Sequence, residues 1–220
     1  MSPGDPRRLS AGSATDVAAA VAGTADAIRE GGLVVVPTDT VYGLACRADC
    51  EAAVGRLYAA KGRDTEKALP VLLADLSELS QVCRDCDEAV LRVARAFWPG
   101  ALTLVVRKTV LVPDLVTGGK QSVAVRVPDC KITRRVLRQA GVVVAVTSAN
   151  LSGAPPAVAV AELPPALLEQ VDLILDTGTC PGGRASTLLD LTQEPPRILR
   201  SGPITRDQLS GVLQRPLADI

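Results

Sequence analysis

Residues 34–63 read VVVPTDTVYGLACRADCEAAVGRLYAAKGR, and this stretch decides the fold. Leu33 to Val36 reads as a buried strand, because four aliphatic residues run without a polar break. The chain then turns through Pro37-Thr38-Asp39-Thr40 into Tyr42-Gly43-Leu44. A short helix is expected over Ala52 to Ala60, with Lys61 and Arg63 directly behind it. A polar turn at the end of a parallel-type strand is where open α/β sheets place their ligands. Two cations on the turn Lys61-Gly62-Arg63 suit the phosphates of a nucleotide. A second half of the site is expected around Ser148-Ala149-Asn150.

Working outward, Asp16 to Glu30 carries Val17, Val21, Ala25 and Ile28 at three- and four-residue spacing, an amphipathic helix closed by Gly31-Gly32. Pro70 to Ala74 is a second buried strand. Helices follow over Asp75 to Val82 and Cys86 to Phe97, and Trp98-Pro99-Gly100 stops the second. Leu102 to Arg107 is a strand, and Pro113 to Ser122 a loop. Val123 to Val127 is a strand with one Arg among β-branched residues. Lys131 to Ala140 is a basic helix, and Val142 to Val146 a strand apolar on both faces. It ends in the polar turn Thr147 to Asn150. Pro164 to Val171 leads into a strand at Leu173 to Leu175. Ser186 to Leu191 and Arg197 to Leu199 form a final strand pair, and Ile204 to Leu213 is a closing helix capped by Thr205. Neither a repeat nor a long linker divides the chain, so one α/β domain over residues 15–215 is expected. Residues 1–14 are expected to form a flexible N-terminal tail.

Composition narrows the chemistry. The chain has 220 residues, 47% of them hydrophobic, enough for one well-packed core. Aromatics are 2%, so that core is aliphatic. Lys and Arg balance Asp and Glu, 24 against 24, and nothing in the balance demands a nucleic-acid or membrane partner. The longest apolar runs are too short to span a bilayer. With no apolar signal core among the first residues, a cytoplasmic protein is expected. There are no histidines, which excludes Ser-His-Asp and Cys-His catalysis and every His-based metal site. Of the six cysteines, Cys46, Cys50, Cys83 and Cys86 can be drawn as a four-thiolate zinc site, but reduced thiols are the expectation.

There is no Walker A sequence, since Gly119-Lys120 is followed by Gln121, and no GxGxxG follows a strand. Taken alone, Lys61 and Arg63 read as a solvated turn as readily as a phosphate site. Ser148 and Asn150 read as ordinary turn chemistry, and Tyr42 and Gly43 as a bend. Arg126 is a stronger signal. A guanidinium inside VAVRV must be paired or face a polar cavity, and either an internal ion pair or a clamp for a ligand carboxylate satisfies it.

The joint order of these pieces carries more than any one of them. PTDTVYGL, KGR with Lys67 four residues on, SVAVRVP, TSANLSG, STLLDL and ILRSG closely resemble the YrdC-like family of threonylcarbamoyl-AMP synthases, from about Gly32 to Gly202. The resemblance implies a twisted mixed α/β sheet with flanking helices around a positively charged central cavity. It implies a nucleotidyltransferase that joins L-threonine, bicarbonate or CO2, and ATP into threonylcarbamoyl-adenylate and pyrophosphate. That product serves the modification of tRNA beside the anticodon, so a downstream tRNA threonylcarbamoyl-transferase complex is an implied partner. The resemblance also leaves room for direct tRNA contact. By position it puts Thr40, Arg126 and Ser148 at threonine, Arg126 clamping the carboxylate. It puts Arg63, Lys67, Ser122, Asn150, Ser186 and Arg200 at ATP, with Lys61 near the phosphates and Ser148 between the two substrates, and it makes Lys61, Arg63, Ser148 and Asn150 the catalytic residues. Mg2+ is expected to enter with ATP, with no metal ligands on the chain itself. A loop around Gly118-Gly119 is a candidate lid.

Three positions depart from the family pattern. Ala68 stands where Pro is usual, Val158 where Thr is common, and Arg184-Ala185-Ser186 replaces Gly-x-Glu-Ser. The chain resembles the short, single-domain branch of the family. Two rival readings remain: an RNA-binding paralogue without synthase activity, and the carbamoyl-adenylating module of hydrogenase-maturation proteins, which is expected in longer chains.

Overall fold

The computed structural model describes residues 6–11 and 14–218. Its elements run β1 (Arg7–Ser10), α1 (Ala14–Arg29), β2 (Val34–Val36), β3 (Gly43–Arg47), α2 (Glu51–Lys61), β4 (Val71–Leu72), α3 (Leu79–Val82), α4 (Glu88–Phe97), β5 (Leu102–Arg107) and α5 (Asp114–Thr117). The second half adds β6 (Ser122–Arg126), α6 (Lys131–Ala140), β7 (Val144–Ser148), α7 (Pro165–Leu168), β8 (Leu173–Asp176), β9 (Thr187–Asp190), β10 (Arg197–Arg200) and α8 (Arg206–Leu213). All ten strands join one sheet in the order β1-β8-β2-β3-β7-β4-β6-β5-β9-β10. Parallel pairs (β1 with β8, β8 with β2, β4 with β6, β5 with β9) mix with antiparallel ones. This is the mixed α/β sheet with flanking helices that the family resemblance implied.

The strands with apolar residues at every position fill two cores, one on each face. On β2, Val34 and Val36 join one core and Val35 the other; on β8, Leu173 and Leu175 oppose Ile174 in the same way. The smaller core lies under α1 and α6, whose Ala20, Val21, Ala25 and Ile28 meet Val136, Leu137 and Ala140 over β8, β2, β3 and β7. The larger core packs α2, α4, α7 and α8 against the opposite face. Helices therefore cover one face along its whole width and the other along only half. Beyond α6 the second face is open, and the site lies there.

Three expectations change. Residues 7–10, placed in a tail, form an edge strand paired with β8, where Leu9 packs against α1 and β8 residues of the smaller core. Of the rest of the expected tail, residues 1–5 and 12–13 lie outside the described residues, and Ala14 opens α1. Gly43, read with Tyr42 as a bend, instead opens the strand β3, antiparallel to both β2 and β7. Gly43, Leu44, Ala45 and Cys46 are all buried, so this strand has no polar alternation to announce it. The segment 37–42 is therefore a hairpin connection, not a crossover into a helix. The expected 113–122 loop contains the short helix α5, closed by Gly118. The closing helix α8 starts on Thr205 with a reciprocal capping box to Gln208.

All six cysteines are free thiols, and among the described residues no group of three or more His, Cys, Asp or Glu side chains could hold a metal ion. Among the same residues no helix is long and apolar enough to cross a membrane.

Candidate functional site

The uncovered half-face forms a cavity of about 800 Å³. Strand periodicity selects its lining. Ser122, Ala124 and Arg126 of β6 point into it while Val123 and Val125 point into the core; Thr103 and Val105 of β5, and Leu188 and Asp190 of β9, follow the same alternation. Arg63, Lys67, Lys120, Arg126 and Arg200 bring five cations to the wall, and Asp190 is the one acidic residue there. Asp190 is spent on its own turn, accepting bonds from the Thr192 backbone and hydroxyl and from Gln193 Nε2.

At one end stands Arg126. Its side chain is 7% exposed and pairs with Asp39, 14% exposed, at 2.6 Å. Arg126 Nε donates to the Gly100 carbonyl at 2.8 Å and Nη1 to Thr40 Oγ1 at 2.9 Å. Both readings left open for this arginine are thus compatible with one geometry: three of its five N–H groups are held internally, and two are left for a ligand. Burial loosens its hold on the proton, and Asp39 opposes the loosening. Asp39 also accepts from the Asp129 backbone at 3.0 Å.

The hairpin turn is internally wired. Thr38 Oγ1 donates to the Val41 carbonyl at 2.6 Å and accepts from the Thr40 and Val41 backbone N–H groups. Its hydroxyl is committed, so the 2.9 Å contact between the two threonines has Thr40 as donor. A directed chain results, from Arg126 to Thr40 to Thr38 to the Val41 carbonyl. It leaves Thr40 Oγ1 one lone pair for an incoming donor. Tyr42 stays structural. Its hydroxyl donates to the Gly178 carbonyl at 2.7 Å, and burial pushes its pKa up to about 12.

At the other side the KGR segment splits its two cations. Lys61 is the last residue of α2, and Gly62 reverses the chain in the left-handed region, φ 56°, so that Arg63 leaves in a different direction. Arg63 lines the cavity and is fixed by bonds to the carbonyls of Lys67 (3.1 Å) and Ala68 (3.0 Å). Lys61 does not line the cavity. It is 3% exposed, and its ammonium donates to the Ser148 carbonyl, to the Asn150 carbonyl at 2.7 Å and to Asn150 Oδ1 at 3.0 Å. Burial, then the charge of Arg63, lowers its pKa to about 8.

Ser148 closes β7, paired with Gly43 across β3, and donates to Asn150 Oδ1 at 2.5 Å. Asn150 Nδ2 donates to the carbonyls of Leu151 and Ala154. On the far wall, Ser186 Oγ shares a 2.6 Å bond with Thr103 Oγ1. Arg200 binds Ser186 twice, through Nε to its carbonyl at 3.0 Å and through Nη2 to its hydroxyl at 3.2 Å. Burial and then the charge of Arg126 lower the Arg200 pKa, a repulsion that an anion between the two guanidiniums would relieve.

The structure thus gathers Thr40, Arg63, Lys67, Ser122, Arg126, Ser148, Asn150, Ser186 and Arg200 around one cavity and sets Lys61 inside its wall. Sequence reading quoted Asp39 and Thr38 in the turn without giving them roles. It gave no role to Thr103, Asp190, Thr192 or Gln193, and named Lys120 only in a loop and in setting aside a Walker A motif. The alternation of polar residues on β5 and β9 with core aliphatics was the available signal.

Comparison with known proteins places the chain in a family. Residues 26–202 match the Sua5/YciO/YrdC family model, described as "Telomere recombination". The chain is 37% identical over 186 residues to the threonylcarbamoyl-AMP synthase of Pyrococcus abyssi, covering 84% of this chain but only 55% of that protein. It is 36% identical over 187 residues to a putative threonylcarbamoyl-AMP synthase of Mycobacterium tuberculosis, covering 85% of this chain and 86% of that protein. The crystal structure of P. abyssi Sua5 complexed with L-threonine superposes with a TM-score of 0.87 at 33% identity, over 96% of this chain and 61% of that one. The chain therefore spans about half the length of the Pyrococcus relative and most of the mycobacterial one. It belongs to the Sua5/YciO/YrdC family.

Proposed function

We propose that this chain is an L-threonylcarbamoyladenylate synthase, forming threonylcarbamoyl-AMP and pyrophosphate from L-threonine, bicarbonate or CO2, and ATP. One observation carries the reading. A single cavity joins a guanidinium with two unspent N–H groups, beside a hydroxyl with an unspent lone pair, to a wall of four further cations. Its volume lies in the roughly 300–1,000 Å³ range of small-molecule sites. The relatives named as synthases, and the relative crystallised with L-threonine, point the same way.

Arg126 takes the threonine carboxylate, and Thr40 and Ser148 offer oxygens to its donors. Threonine nitrogen forms a bond to the carbon of CO2 and gives up a proton, or bicarbonate supplies the same carbon with loss of water. A carbamate oxygen then attacks the α-phosphorus of ATP. The new O–P bond forms as the bond to the β-phosphate oxygen breaks, and pyrophosphate leaves with the electron pair. Such a displacement needs positioning and charge neutralisation more than a protein base, which suits a chain without histidine. Arg63, Lys67 and Arg200 face the phosphates, while Ser122 and Ser186 hold the nucleotide on the β6 and β9 walls. The cavity has one committed carboxylate, so Mg2+ would be held by phosphate oxygens and would supply charge neutralisation there. The adenylate would pass to a tRNA threonylcarbamoyl-transferase in the cytoplasm.

The test is pyrophosphate release from ATP and Mg2+ with L-threonine and bicarbonate, each omitted in turn. Release that requires both, with a product of the mass of threonylcarbamoyl-AMP, is the expected result. Release indifferent to threonine would overturn the reading. Absent release from folded protein that binds tRNA in a salt-dependent way would replace it with the RNA-binding alternative.

A further inference from the structure

We propose that Lys61 and Asn150 act on the reaction without touching its substrates: they form a lock that shapes the 148–154 turn and aims the Ser148 hydroxyl at the cavity. The inference rests on the proposed synthase reading for its kinetic consequence, but not for its structural one.

Counting donors and acceptors carries it. An ammonium has three N–H groups, and Lys61 spends all three on the Ser148 carbonyl, the Asn150 carbonyl and Asn150 Oδ1. None is left for a phosphate. The Asn150 amide is equally committed: Oδ1 accepts from Lys61 and from Ser148, and Nδ2 donates to the Leu151 carbonyl at 3.0 Å and the Ala154 carbonyl at 2.5 Å. Two donors on one side and two acceptors on the other also fix which way the amide faces. The Ser152 backbone N–H donates to the Lys61 carbonyl at 2.9 Å, so the turn is tied to the end of α2 at both the side chain and the main chain of Lys61.

The consequence falls on Ser148. Its one proton is drawn to Asn150 Oδ1, so its oxygen presents only lone pairs to the cavity. It is held as an acceptor, suited to an N–H or O–H of the amino-acid substrate and unsuited to a phosphate oxygen. Without the ammonium, Asn150 Oδ1 and the carbonyls of Ser148 and Asn150 all lose a donor, so the turn that carries the amide and the Ser148 hydroxyl is loosened. Lys61 and Asn150 are positioning residues, and Ser148 is the group they position.

The experiment compares Lys61→Met, which keeps the length of the side chain and removes its donors, with Arg63→Met. Amide hydrogen exchange is followed in ligand-free protein, and steady-state pyrophosphate release is measured at varied ATP. For Lys61→Met the expected result is at least tenfold faster exchange confined to residues 148–154. It goes with a kcat at least a hundredfold lower and a KM for ATP within fivefold of wild type. Arg63→Met should leave exchange in that turn unchanged and raise the KM for ATP. A Lys61→Met protein with an unaltered turn and an ATP KM raised thirtyfold or more would overturn the inference in favour of phosphate contact. Wild-type protein supplies a second measurement should Lys61→Met not fold. The chain has five lysines, and the Lys61 side-chain NMR signals should keep their titration midpoint on adding pyrophosphate with Mg2+, whereas an upward shift of one pH unit or more would mean direct contact. If wild type releases no pyrophosphate under any condition, the synthase reading falls while the exchange result still decides the lock.

Discussion

Replacing Asp39 by Asn removes the counter-charge of Arg126 and changes little else in shape. The exposures of the pair, 7% for the Arg126 side chain and 14% for Asp39, place it with buried ion pairs and not with surface ones. Breaking a buried pair by removing one partner costs about 3–5 kcal/mol, because the remaining charge stays desolvated. Arg126 would keep the Gly100 carbonyl, Thr40 Oγ1 and a neutral amide oxygen as partners, but no counter-charge. Asn can still accept the Asp129 backbone N–H, so the substitution isolates the charge. For a chain of this size a loss of that magnitude lowers Tm by roughly 6–20 °C. Equilibrium urea unfolding of wild type, Asp39→Asn, Arg126→Met and the double variant closes a thermodynamic cycle. The double variant buries no unpaired charge, so it should be more stable than Asp39→Asn alone, with a coupling of about 2 kcal/mol or more between the sites. Additive losses, or Asp39→Asn unfolding within about 0.5 kcal/mol of wild type, would refute the view that Asp39 neutralises Arg126.

Two further outcomes follow from single features. The Lys61 pKa, lowered from 10.5 to about 8 by burial and by Arg63, lies below its value in the unfolded chain. Between pH 8 and 10.5 the unfolded chain therefore binds more protons, so this group's cost to stability is fully present below pH 8 and is relieved as pH rises to 10.5. Relative to Lys61→Met, wild type should gain stability across that window, and side-chain NMR should find one of the five lysines titrating near pH 8; a midpoint at 10 or above would contradict the burial described here. At Gly43, an added Cβ would lie 2.7 Å from Val146 Cγ1. Gly43→Ala should destabilise by about 1–3 kcal/mol through overpacking, and a companion Val146→Ala should recover most of the loss; a loss unchanged by Val146→Ala would move its cause to the backbone.

How much of this was legible depends on whether one stretch of chain held the reason. Helix α6 was readable to the residue, because its apolar positions and closing Gly141 are local. Thr205 was readable as a cap because capping is decided within four residues. Strand β3 was not, since each of its first four residues is buried by elements far along the chain and the small Gly and Ala hide the pattern. The edge strand β1 was missed for the opposite reason: RRLS is exposed and polar, and only β8, more than 160 residues on, makes it a strand. The site divides in the same way. Arg126 declared that it needed a partner, but nothing in its surroundings named Asp39. Lys61 declared a charge, and only the fold, which brings Ser148 and Asn150 to its ammonium, shows where that charge is spent.

The distribution of spent and unspent donors gives the cavity a direction. Lys61 has no N–H left, Arg126 has two of five, and Arg200, held only by Ser186, has three. Lys61 is buried within protein oxygens that satisfy it, whereas the charge of Arg126 bears on Arg200 and Asp39 pairs with Arg126. A chain whose charges balance 24 to 24 could have covered this half of the sheet with one more helix, as α1 and α6 cover the other half. It instead leaves bare a surface on which cations alternate with Ser, Thr and Ala. Keeping the Arg126 guanidinium buried and under-paired is costly unless an anion completes it. A carboxylate at Arg126 completes it, with a polyphosphate reaching toward the exposed Arg200 and toward Arg63. Lys61 and Asn150, their polar groups taken up within the turn, then hold Ser148 in place.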